Sequence, residues 1–127
     1  MAGLLTDAHI SPRVAAQVRA KRPECQIHSL RTWRAGEFLD AEDHLILSAA
    51  HEDALMLVTY DQRTIVPLVT QWTMEGRDHS GVAFLDDRSI VQEDIGGQVL
   101  AGMELWDNLG REQSTNRIVY LRPSQIR

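Results

Sequence analysis

Apolar residues in this chain fall into short blocks set between longer stretches in which they recur at helical spacing. Leu4 and Leu5 lead straight to Thr6 and Asp7, and Ser11-Pro12 then supplies an N-cap followed by proline at the first helical position. From Pro12 to about Lys21, Val14, Ala15 and Val18 form one stripe while Arg13, Gln17, Arg19 and Lys21 lie elsewhere, and Pro23 ends the run. Ile27 and Leu30 mark a short second strand, and Trp33 to Leu39 is irregular or briefly helical, with Gly36 as punctuation. A second helix is expected from Asp40 through His51, its acids concentrated in the first turn where the helix dipole favours them. Leu55 to Thr59 is a continuous apolar run of the kind that is buried on both faces of a parallel sheet, and it ends at Tyr60-Asp61.

Beyond Asp61 the alternation continues. Thr64 to Glu75 is expected to be helical, with Pro67 near its first turn and Gly76 closing it, and Gly81 to Leu85 forms a fourth strand. Ile90 through Leu109 carries a further helical pattern, weakened in its middle by Gly96-Gly97 and Gly102, and Arg117 to Leu121 is the last β-prone run before Pro123. Strands alternating with helices imply a mainly parallel sheet of about four to five strands with helices on both faces. At 127 residues, with no repeat or linker, the chain is read as one domain spanning 1–127.

Composition narrows the class. The apolar share of 43% and charged share of 24% are those of a water-soluble globular protein. No run approaches the roughly 18 apolar residues of a membrane span, and Met1 to Ile10 lacks the basic start and long apolar core of a secretion signal, so a cytoplasmic protein is expected. Cys25 is the single cysteine and has no partner for a disulfide or a thiolate metal site. The net charge of −5 is unevenly spread. Residues 1–36 hold Arg13, Arg19, Lys21, Arg22, Arg31 and Arg34 against Asp7 and Glu24, while the remainder is acidic. A basic first helix beside an acidic body suits a phosphate backbone led toward a metal, or simply a solvated helix face.

In open α/β sheets, ligands bind outside the carboxyl ends of the strands, where the strand order reverses. Asp7 follows the first strand and Asp61 the third, so both emerge at that edge, and Asp43, early in the helix leading to the third strand, can be aimed over it. Taken singly, such residues are ordinary turn and cap aspartates. Together they repel, and a cation between them relieves the repulsion. With neither a cysteine partner nor histidines at i, i+4 spacing, the ligands are all oxygen, which favours Mg²⁺ or Mn²⁺ over zinc. Such an ion is suited to phosphodiester hydrolysis. His9, two residues from Asp7, and Thr59 and Arg63, flanking Asp61, are candidates for contact with substrate or water, and Arg13 belongs to the basic helix that would guide it.

The run Leu4-Leu5-Thr6-Asp7-Ala8-His9-Ile10-Ser11-Pro12 resembles the opening of small bacterial PIN-like proteins, and Asp43 with Leu57-Val58-Thr59-Tyr60-Asp61 is similar to that family's helix-opening aspartate and Leu-Val-Thr-x-Asp strand end. The resemblance covers about residues 3 to 85. It implies the PIN-like three-layer fold and a Mg²⁺ or Mn²⁺ site typical of ribonucleases, including toxins of toxin-antitoxin pairs. RNA would be the substrate, an antitoxin or other protein the partner, and a homodimer one expected assembly. Asp7, Asp43 and Asp61 would be catalytic and metal-binding, with a fourth acid after the fourth strand, Asp86 or its neighbour Asp87. Two departures stand out: Ala8 occupies a position that is often acidic in the family, and the chain beyond Asp87 follows no family pattern.

Other chemistry has less support. His28, His44, His51 and His79 are scattered without partners, and Trp33, Trp72 and Trp106 are spaced as packing anchors. A phosphoacceptor receiver domain needs an acidic pair after the first strand and a late lysine, whereas the only lysine here is Lys21. No GxxxxGK[ST] phosphate loop is present. The alternative to an enzyme is a non-catalytic PIN-like module that binds a protein or RNA partner.

Overall fold

Four apolar-rich segments too short for stable helices, and a fifth with alternating character, pair into one sheet. The computed structural model describes residues 1–123, so residues 124–127 of the expected domain lie outside the described residues. The strands are β1 (Gly3–Thr6), β2 (Gln26–Ser29), β3 (Leu55–Thr59), β4 (Val82–Leu85) and β5 (Ile118–Leu121), all parallel, in the order β2-β1-β3-β4-β5. β1, β3 and β4 are buried throughout, as continuous apolar runs covered on both faces must be.

Four helices supply the cover: α1 (Pro12–Lys21), α2 (Asp43–Glu52), α3 (Gln62–Met74) and α4 (Ile95–Leu109). Side chains alternate across each strand, so the sheet divides the core in two. Leu4, Met56, Val58, Ala83 and Leu85 pack with Val14, Val18, Val99 and Leu105 of α1 and α4. Leu5, Leu57, Val82 and Phe84 pack on the opposite face with Ile46, Leu47, Ile65 and Trp72 of α2 and α3. The architecture is thus a three-layer α/β domain with a five-stranded parallel sheet.

Several boundaries differ from the sequence reading for local reasons. α2 begins at Asp43 instead of Asp40, because residues 38–41 are taken up in turns, one closed by the bond from Ala41 N–H to the Phe38 carbonyl. α3 begins at Gln62, capped by Asp61, which leaves Pro67 inside the helix. α4 begins at Ile95, not Ile90, because the Asp94 side chain caps it through the Gly97 N–H at 2.9 Å. Gly96 and Gly97 thus sit in the first turn, and Gly102 faces Val18 of α1. Between β2 and α2, Trp33–Gly36 is a tight turn in which Arg34, Ala35 and Gly36 all have positive φ. Its Arg34 lies over the Trp33 ring and pairs with Glu52 and Asp53.

The basic segment is largely committed to holding the fold. Arg22 forms a two-pronged pair with Asp107 of α4 at 2.7 and 2.8 Å, and Arg19 donates to the Ile27 carbonyl of β2. Arg31 donates to the Ala8 carbonyl at 3.0 Å. Trp33 and Trp72 are buried packing residues. Burial pushes the Cys25 thiol up to about 11, so it is protonated at neutral pH. No helix among the described residues is long and apolar enough to cross a membrane.

Candidate metal centre

A strand order of 2-1-3-4-5 reverses between β1 and β3, since the chain leaves β1 toward β2 on one side and leaves β3 toward β4 on the other. The register Thr6↔Val58 brings both strands to the same edge, and the ladder continues one step further through Asp7 N–H donating to the Val58 carbonyl at 2.9 Å. Asp7 and Asp61 therefore flank the reversal itself.

Thr59 ties these two acids together. Its hydroxyl donates to Asp7 Oδ2 at 2.6 Å and accepts the Asp61 N–H at 3.0 Å. The residue is 0% exposed, so its role lies within the protein, joining the two corners, and its hydroxyl is not presented to a substrate. Asp7 Oδ1 accepts the Ala8 N–H at 2.7 Å, and Asp61 Oδ1 accepts the Thr64 N–H at 3.0 Å as the cap of α3. Each carboxylate is thus oriented by the backbone of the turn it opens.

Asp43 is the first residue of α2 and lines a hollow with His44 and with Thr64, Pro67 and Leu68 of α3. Its carboxyl is held above the ordinary carboxylate value by burial first, then by the negative charges of Asp7 and Asp61. The three acids are therefore within electrostatic reach of one another. Asp86 and Asp87 line a second hollow with Asp61, Arg63 and Arg88. Asp86 is the better fixed of the pair, its Oδ1 accepting the Arg88 N–H at 2.9 Å, while Asp87 is exposed. His9 is exposed in the turn after Asp7, Arg13 is exposed in the first turn of α1, and Arg63 is exposed in the first turn of α3.

The donor chemistry suits a hard divalent ion. All the groups are oxygens, and Asp43 pays an electrostatic penalty that a nearby cation would remove. Among the described residues, no three His, Cys, Asp or Glu side chains stand close enough together to hold a metal ion as they are placed.

Three residues with a place in this arrangement escaped the sequence reading. Arg31, Tyr60 and Gln98 act through the chain reversals that bring residues 8, 60 and 98 beside residues 31, 90 and 60, and no local pattern marks such pairs. Comparison with known protein families, curated proteins and solved structures finds no match for this chain.

Proposed function

We propose that this chain is a PIN-like, Mg²⁺- or Mn²⁺-dependent ribonuclease. The observation that carries the reading is the placement of Asp7 and Asp61 on either side of the sheet's reversal point, with Asp43 feeling the charge of both. Asp7, Asp43 and Asp61 would hold the ion, with Asp86 reaching it from the second hollow. Bound there, the ion supplies a polarised phosphoryl oxygen and a more acidic water.

The chain's own groups account for the rest. Thr59 fixes the relative orientation of Asp7 and Asp61. Arg63, which lines the hollow with Asp61 and Asp86, offers a charged fork to a phosphate, and the exposed Arg13 and His9 would add contacts to the substrate from the β1 side. The acids reject an unaccompanied phosphate by repulsion, so RNA would bind productively only with the ion present. As a toxin, such an enzyme would act in the cytoplasm under the control of an antitoxin, with a homodimer as one assembly.

A receiver-type phosphoacceptor shares this strand order, but Lys21 lies in the last turn of α1, at the end of a helix running back from the acidic edge. The second reading is a binding module without catalysis, favoured by Ala8 in a position where the resembled family often carries an acid.

Titration of Mn²⁺ into wild type and Asp61→Asn by calorimetry, with RNA cleavage followed in parallel, tests the proposal. Asparagine keeps an oxygen to cap α3, so the variant isolates the charge. Binding and cleavage in wild type that both disappear in Asp61→Asn are expected. A wild-type protein that binds no ion at millimolar Mn²⁺ refutes the nuclease and leaves the binding module.

A further inference from the structure

Tyr60 stands between Thr59 and Asp61, and its side chain reaches the long connection between β4 and α4. Its hydroxyl donates to the Ile90 carbonyl at 2.8 Å and accepts from the Gln98 amide at 2.9 Å. The same Gln98 nitrogen donates to the Gln92 carbonyl at 2.8 Å. Ile90 in turn donates its N–H to the Asp86 carbonyl at 2.9 Å. A continuous run of hydrogen bonds therefore joins the neighbour of Asp61 to the turn that carries Asp86. That connection contains no helix or strand between Leu85 and Ile95.

Gln98 is 3% exposed, and its Oε1 has no hydrogen-bond partner. Turning the amide over would set its oxygen against the Gln92 carbonyl, so the orientation is dictated by the acceptors around the nitrogen. The side chain lines a small internal space with Leu4, Val58 and Leu85, where leucine would pack with no unpaired polar atom of its own. Packing alone thus gives no reason for glutamine at this position, whereas its N–H groups do.

We infer that Tyr60 and Gln98 form a latch that fixes the Asp86 turn against the Asp61 corner, making both of them positioning residues for the fourth carboxylate. The inference rests on the acidic-centre reading above. It separates two tasks: Thr59 sets Asp7 against Asp61, and the latch sets Asp86 against Asp61. Partners outside the direct ligands typically change metal affinity about 10- to 100-fold when lost.

The test is Mn²⁺ alone, with free ion followed by electron paramagnetic resonance, on wild type, Tyr60→Phe, Gln98→Leu, the double variant and Asp61→Asn. Thermal unfolding of each variant identifies the temperature at which it is folded. Each latch variant should weaken Mn²⁺ binding by about tenfold while folded. The double variant should bind no more weakly than either single one, because both changes open the same latch. Amide exchange at Ile90 should quicken in both. A purely structural role would lower the unfolding temperature and leave the affinity of the folded protein unchanged. If both single variants bind as wild type does while Asp61→Asn does not, the latch is refuted and the acidic centre stands. If Asp61→Asn binds as tightly as wild type, the acidic centre falls and the latch with it.

Discussion

Asp61 accepts the Thr64 N–H at 3.0 Å and is at the same time one of the charges acting on Asp43, so the choice of substitution decides what is measured. Asp61→Ala removes both the cap and the charge and should lower stability by about 1 kcal/mol, while Asp61→Asn should keep most of the cap. Urea unfolding of the two variants at neutral pH, without added metal, separates these effects. Equal losses in both would mean that the cap bond contributes nothing. Asp7 and Asp61 were legible as strand-end residues because Asp7 directly follows the first strand run and Asp61 follows the third after one intervening residue. The part played by Thr59 was not, since only the pairing of β1 with β3 brings its hydroxyl to Asp7, 52 residues away. Gln98 gave no signal at all, because a single glutamine in a helical stretch looks like a surface residue until the opposing element is known.

At the scale of elements, β1 sits between β2 and β3, and the close approach to β2 depends on Gly3. A Cβ at Gly3 would collide with the Gln26 carbonyl, so Gly3→Ala must push the two strands apart at their entry. The expected cost is about 1–3 kcal/mol, checked by denaturant unfolding, with faster amide exchange in β2 than in β4. An unchanged midpoint would show that the strands shift without penalty. The elements themselves were well marked wherever a local cap or stop was present. Ser11-Pro12 opens α1 as expected, and the apolar run 55–59 forms β3 with the expected bounds. The starts of α2 and α4 were misplaced, because helical spacing runs on into the preceding turns and the Asp94 cap carries no mark that distinguishes it from Asp86 or Asp87.

At the scale of the whole molecule, two histidines couple stability to acidity. His79 is 1% exposed, and its Nδ1 accepts the Gly81 N–H at 3.0 Å, so the ring is held neutral. Burial first, and then His51, lower its pKa, with Asp78 opposing. His28 is lowered by burial and Arg19, with Asp53 opposing. A depressed folded value means that the unfolded chain binds more protons, so stability is full above the unfolded value of about 6.5 and declines as pH falls below it. His79→Asn retains an acceptor for Gly81 and removes one titrating group. It should lessen the fall in unfolding free energy between pH 7 and pH 5, read from unfolding curves at the two pH values. Identical pH slopes would show that His79 is charged without cost. By itself the sequence determined the alternation of strands and helices, the parallel α/β class and the two strand-end aspartates, because apolar periodicity, proline and cap residues act within a few positions of one another. The tertiary structure alone decided the reversal of strand order between β1 and β3, the electrostatic nearness of Asp43 to Asp7 and Asp61, and the link from Tyr60 to the Asp86 turn. Each depends on side chains far apart in the chain being brought together by burial on the two faces of one sheet, and local pattern carries no record of that distance.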